Sequence, residues 1–148
     1  MTSIEFSVQG LPLTAGSTRS FAVKKGGQYT GRTVTIQTTR GLAHWENLVR
    51  DRAVLALGVT KGFDLLHSLL QGPVSVSLAF TLPKPKSAPK RTRTWPTKRP
   101  DLDKLVRAVL DALTGTIFHD DSQVIQLTAS KDFGTPGVTV RVKEIKED

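Results

Sequence analysis

The chain has 148 residues, no cysteine, and 21 Lys and Arg against 13 Asp and Glu, for a formal net charge of +8. That length leaves room for a single domain, residues 1–148, with a real core, and the missing cysteines exclude disulfides, thiolate metal sites and cysteine nucleophiles. No apolar run approaches about 20 residues and no signal-peptide pattern opens the chain, so a cytoplasmic protein without a membrane span is expected.

Ile4, Phe6 and Val8 alternate with polar neighbours and predict a first strand. A Gly/Ser/Thr/Lys-rich region follows, in which Phe21–Val23 and Thr33–Gln37 can pair around Lys24–Gly31, with Gly26–Gly27 favouring the reversal. Between Phe6 and Trp45 there is no acid, against five basic residues: Arg19, Lys24, Lys25, Arg32 and Arg40. The hairpin is thus either a basic loop along DNA phosphates, with Tyr29 on a sugar or base, or a plain solvated hairpin. Leu42, Trp45, Leu48, Val49, Arg52, Ala53 and Ala56 recur at helical spacing and predict a helix from about Gly41 to Leu57, with Trp45 in the core. Phe63, Leu65, Leu66, Leu69 and Leu70, within 59–72, fit a short helix or a packed loop equally well.

Val74, Val76, Leu78, Phe80 and Leu82 alternate with small or polar residues, which predicts a strand with one buried face. It leads into residues 83–100, PKPKSAPKRTRTWPTKRP, with five prolines and seven basic residues: Lys84, Lys86, Lys90, Arg91, Arg93, Lys98 and Arg99. Such a segment cannot join a ladder and is expected to be extended or mobile. It reads as a phosphate-tracking arm with Trp95 as a stacking group, or as a linker loop.

The arm delivers the chain into RPDLDKLVRAVLDALTGTIFHDDSQ, residues 99–123. Leu102, Leu105, Val106, Val109, Leu110 and Leu113 form one apolar stripe, while Asp103, Lys104, Arg107 and Asp111 occupy the other face. Asp101 is placed as N-cap after Pro100, and Gly115 is placed to end the helix. A helix from Leu102 to Thr114 rises roughly 20 Å, and six extended residues from Thr116 cover about the same distance back. Asp120 or Asp121 would then meet Asp101 and Asp103. Carboxylates about 4 Å apart repel by about 4 kcal/mol at an effective dielectric near 20, so such a cluster calls for a cation. Oxygen-only donors favour Mg2+ or Mn2+ over zinc. The plain alternative is a capping Asp101, a dipole-matched Asp103 and a turn at Asp120–Asp121.

Gln123–Ala129 predicts a strand, Gly134–Gly137 a turn and Val138–Val142 a last strand paired with it as a hairpin. The expected class is α+β: a mixed β-sheet with helices packed on one face.

The run RPDLDKLVRAVLDALTGTIFHDDSQV resembles the RusA family of Holliday junction resolvases, endonucleases often carried by phages and prophages. The family pattern is Asp-x-Asp opening a helix, a basic residue four positions after the second Asp, a later helix Asp, and Asp-Asp-x-Gln. Here these are Asp101, Asp103, Arg107, Asp111 and Asp120-Asp121-Ser122-Gln123. The earlier GSTRSF and the Trp45 helix look like family features too. The resemblance implies a RusA-like fold and a Mg2+-dependent homodimer (Mn2+ substituting) that nicks four-way junctions, and other branched DNA, symmetrically. It implies catalytic roles for Asp101, Asp103 and Asp121, with Asp120 a secondary metal ligand; the DNA contacts of the basic hairpin and arm are expected from their charge. Lys104 stands where the family usually has Asn, and Arg107 where it usually has Lys. The role of that lysine therefore falls either to Arg107, as a fixed charge, or to Lys104.

Two other readings use the same residues. One is a non-cleaving branched-DNA-binding protein whose carboxylates are structural. The other is a phosphotransfer enzyme using Asp101-Leu102-Asp103 as a nucleophile motif, which needs a buried apolar strand before Asp101. The basic, proline-rich leader disfavours that.

Overall fold

A computed structural model describes residues 2–16, 18–37, 39–61 and 68–147. The elements are β1 (Ser3–Gln9), β2 (Thr18–Lys25), β3 (Gln28–Gln37), α1 (Leu42–Lys61), β4 (Val74–Leu82), α2 (Leu102–Leu113), β5 (Val124–Phe133) and β6 (Gly137–Glu144). Strands β1, β6, β4 and β5 lie side by side in that order, with β4 and β5 parallel and the other pairs antiparallel. This is the expected α+β class with a mixed sheet.

The core follows from the alternation in the strands. Val74, Val76, Leu78, Phe80 and Leu82 of β4, Val138, Val140 and Val142 of β6, and Ile4 and Val8 of β1 are buried. Trp45, Val49, Ala53 and Leu57 of α1 and Leu105, Val109 and Leu113 of α2 are buried in the same cluster. Each of the larger aliphatic side chains contributes about 1.5–3 kcal/mol by leaving water. The opposite face of the sheet is polar: Glu5 and Arg141 pair at 3.0 Å, and the hydroxyls of Ser7 and Thr139 lie 3.3 Å apart.

Two expectations change. The last two strands are not a hairpin. β4 lies between them, paired in parallel with β5 and antiparallel with β6. Parallel strands require a long crossover, and α2 with its flanking loops is that crossover. The first helix also continues to Lys61, beyond the predicted Leu57. Of the ambiguous 59–72 segment, residues 62–67 lie outside the described residues, while Leu70 is buried and bridges to Phe118.

The basic hairpin is longer than its apolar residues suggested, because the stretch expected as a loop is itself paired. β2 and β3 reverse through Gly26 and Gly27, both at positive φ (59° and 81°), as a two-residue hairpin turn requires. The ribbon forms a sheet of its own, separate from the four-stranded one.

Candidate active site

α2 begins as its sequence dictates. Asp101 is the N-cap residue with extended backbone (φ −71°, ψ 135°), and Asp103 sits in the first turn. The Asp101 side chain, however, makes no capping hydrogen bond. Both carboxylates are exposed, so neither is consumed in holding the helix. Lys104 Nζ stands 4.0 Å from Asp101 Oδ2. These two residues, with Arg99, Pro100, Thr14 and Gly16, line a cleft of about 630 Å³.

The loop before β2 closes that cleft. The Ala15 N–H donates to the Lys104 carbonyl at 3.0 Å. Gly16, at φ +88°, packs against Arg107, whose Nη1 would lie 2.9 Å from any added Cβ. Gly16 thus carries a positive φ and leaves room for the guanidinium. Sequence reasoning noted the GSTRSF stretch only as a family feature and missed this contact; a glycine ahead of a basic strand was the only signal.

The arm is held rather than free. It forms no strand, as its prolines require, but Lys131 Nζ donates to the carbonyls of Lys98 (2.9 Å) and Pro100 (2.8 Å), anchoring the chain just before Asp101. Arg93 pairs with Asp132 at 2.6 Å and lies 4.8 Å from the centre of the Trp95 ring. The Asp132 carboxyl is accordingly held below the usual range, chiefly by that hydrogen bond. Trp95 remains 61% exposed and borders an apolar cavity of about 600 Å³ that shares Thr14, Arg99 and Pro100 with the cleft. Arg19, Lys24, Lys25, Arg32, Lys84, Lys86, Lys90, Arg91, Arg93, Lys98 and Arg99 are all exposed, the first four on the β2–β3 ribbon.

The second acidic pair does not return to the first. Thr116 and Ile117 donate back to the Leu113 carbonyl, Gly115 donates to Phe118, and Ile117 and Phe118 are fully buried. Burial of these apolar side chains curls the chain into a compact turn where six extended residues were expected. Asp120 and Asp121 therefore stay at the C-terminal end of α2, at the start of β5. Asp101 lies at the other end, tied through Pro100 to Lys131 near the end of β5. The 12-residue helix that lies between them is about 18 Å long. Among the described residues, no three His, Asp or Glu side chains form a group able to hold a metal ion.

What lies between the two pairs is a charged stripe. Burial pushes the Asp111 carboxyl up, Arg107 pulls it down, and Asp121 raises it further. Glu46 is raised by its own burial and by Asp111. Asp120 is held down by the Ser122 hydroxyl, which donates to its Oδ2. Asp101 and Asp103 alone are two hard, exposed oxygen donors. Hard ions such as Mg2+ take one or two such carboxylates and complete their shell with water and substrate phosphate.

Gln123 explains the end of the Asp-Asp-x-Gln pattern. Its Nε2 donates to the carbonyls of Leu70 and Gly72, both at 2.9 Å, and its Oε1 accepts the Asp120 N–H at 2.9 Å. The first two bonds fasten the 3-10 turn Asp121–Gln123 to the chain entering β4, and the third closes the turn on its own N-cap residue. Gln123→Ala leaves two part-buried carbonyls unpaired and should cost about 1–3 kcal/mol, read as a lower urea midpoint with an unchanged m-value.

A family model described as Endodeoxyribonuclease RusA matches residues 14–143. The Bacillus subtilis (strain 168) protein YqaN is 35% identical over 89 residues, covering 53% of this chain and 63% of that protein. The chain therefore spans less than two thirds of the length of this curated relative.

Proposed function

The chain belongs to the RusA endodeoxyribonuclease family, and on that premise we propose that it is a structure-selective DNA endonuclease. It resolves four-way junctions, and related branched DNA, by paired nicks, using Mg2+ with Mn2+ as a substitute. The observation that carries this reading is the exposed, uncapped Asp101 beside Asp103, at the edge of a cleft bordered by Arg99 and Lys104.

In this reading Asp101 and Asp103 hold the ion. An ion held there would supply the charge to acidify a water and to neutralise the scissile phosphate. Arg99 and Lys104 orient that phosphate from the cleft wall. Arg107, braced by Gly16, contributes a permanent charge along the helix face, and Lys104, beside Asp101, is the group able to move a proton. Lys131 fixes the arm so that Asp101 does not drift from the cleft. A homodimer supplies two such sites for a substrate of matching symmetry.

The test is cleavage of a mobile four-way junction with and without Mg2+, with products mapped to the nucleotide. Symmetric nicks that need the ion are expected. Tight junction binding without cleavage would favour the non-cleaving DNA-binding reading, for which the lack of a three-carboxylate group within the described residues speaks.

The basic surface makes a separate prediction. Neutralising Lys90, Arg91 and Lys98 together should weaken binding to all DNA sequences alike. The slope of log affinity against log salt should flatten by about 0.9 for each DNA phosphate that the arm no longer neutralises. Arg93 is a poorer choice, because Asp132 already neutralises it. An unchanged salt slope would remove the arm from the DNA interface.

A further inference from the structure

An apolar cavity of about 600 Å³ lies between the proline-rich arm and the ends of β4 and β5, outside the phosphate chemistry. Leu82 and Phe133, the last residues of those strands, line it from the sheet. Leu11 lines it from the segment after β1, and Trp95 from the arm. The arm's own anchors keep this space open. Its prolines lack the N–H groups that a ladder against the sheet would need. Lys131 holds the carbonyls of Lys98 and Pro100, Arg93 is paired with Asp132, and the Ala88 N–H donates to the Pro85 carbonyl at 3.0 Å. The cavity is thus built before any ligand arrives, and two large apolar side chains at it are left in water. Leu11 is 53% exposed and Trp95 61%.

The chemistry of the walls says what fits. Arg93 covers one face of the Trp95 ring, yet most of the indole stays exposed, a surface on which a flat ring can stack. The charged side chains at the cavity, Lys98 and Arg99, are cations, and among the described residues no carboxylate lines it, so the occupant carries negative charge. Thr94, in the same wall, has a buried hydroxyl without a hydrogen-bond partner, which a ring nitrogen or carbonyl satisfies once the side chain turns. Thr14, Arg99 and Pro100 line both this cavity and the cleft that holds Asp101 and Lys104. An occupant of one is therefore a neighbour of the other.

We propose that the cavity takes one unpaired nucleobase of the DNA, stacked on Trp95, while the phosphate beside it runs past Arg99 into the cleft at Asp101. A base is apolar on its faces and polar at its edge, and its strand supplies the negative charge. Drawing a base out of a duplex costs free energy, least where stacking is already interrupted. A branch point is such a place. The cavity thus ties cutting to branched DNA, because an intact duplex can lie along the basic arm without delivering a base to Trp95. Placing the base next to the cut rests on the nuclease reading, but the binding of a base does not.

The test is a cycle between protein and DNA, read as junction binding in EDTA. Junctions carry one abasic nucleotide at successive positions on either side of the branch point. Trp95→Ala should weaken binding to the intact junction by about fivefold to a hundredfold, the usual loss for one base stacked on an aromatic ring. On the junction that lacks the held base, wild type should lose the same factor and Trp95→Ala nothing further. Trp95→Phe should keep most of the affinity, and duplex binding should be equal for all three chains. Leu11→Glu, a negative charge at an exposed wall position, should also weaken junction binding. Urea midpoints should stay near wild type, since both positions are exposed. If Trp95→Ala costs the same on the intact and on every abasic junction, costs nothing on any, or weakens duplex binding equally, no base occupies the cavity and the proposal falls. With Mg2+, the position that couples to Trp95 should adjoin the mapped nick. Coupling without any nick overturns the nuclease reading and leaves the base site standing. A nick remote from the coupled base overturns the link between cavity and cleft.

Discussion

Asp103→Asn is expected to abolish junction cleavage while junction binding survives or tightens. The substitution keeps the shape of the side chain and removes one of two exposed carboxylates that no cap or buried partner consumes. Folding should be nearly indifferent, because an exposed first-turn Asp contributes only about 0.3–1 kcal/mol through the helix dipole. Catalysis should not be. Stabilisation by a metal is worth several kcal/mol, so losing a ligand costs about a hundredfold or more in rate. Asp101→Asn should behave alike. Single-turnover cleavage beside a binding isotherm in EDTA separates the two effects. Near-wild-type cutting by Asp103→Asn would sink the assignment of this end of α2 as the active site.

Arg107→Ala should lose far more cleavage than binding, and Arg107→Lys should stay active. Arg107 stands one turn after Asp103 and one turn before Asp111, whose carboxyl it pulls down in pKa. As an exposed ion pair it would be worth only a few tenths of a kcal/mol to stability, so a large kinetic loss would mark a functional charge. Gly16→Ala offers a second route to the same residue. The new Cβ would meet the guanidinium at 2.9 Å and impose strain at φ +88°, so cleavage should fall with every charged group still present. Lys104 is the control for proton transfer, being 4.0 Å from Asp101 while Arg107 packs on Gly16. Lys104→Asn, the usual family residue, should be tolerated if Arg107 alone carries the role. It should flatten the pH–rate profile if the duty has moved to Lys104. Wild-type rates from Arg107→Ala would show that the position does no chemistry.

The amino-acid order alone determined the local elements and the identity of the chemical groups. The alternation of β4, the apolar stripe of α2, its start at Asp101 and the reversal at Gly26–Gly27 are all short-range consequences of side-chain size, burial and backbone freedom. They are found where they were expected. Trp45 likewise lies in the core, 1% exposed, as a large apolar surface on a helical stripe should. Relations between distant segments are another matter. Nothing local to Val124–Phe133 distinguishes a strand paired with β6 from one placed beyond β4, because both bury the same alternate residues; the pairing is decided by the crossover through α2. Likewise, a chain-length estimate allowed Asp121 to reach Asp101. Burial of Ile117 and Phe118 instead curled residues 114–118 against the end of the helix. The carboxylates were legible as residues, but their separation was not, since the packing of two apolar side chains sets it.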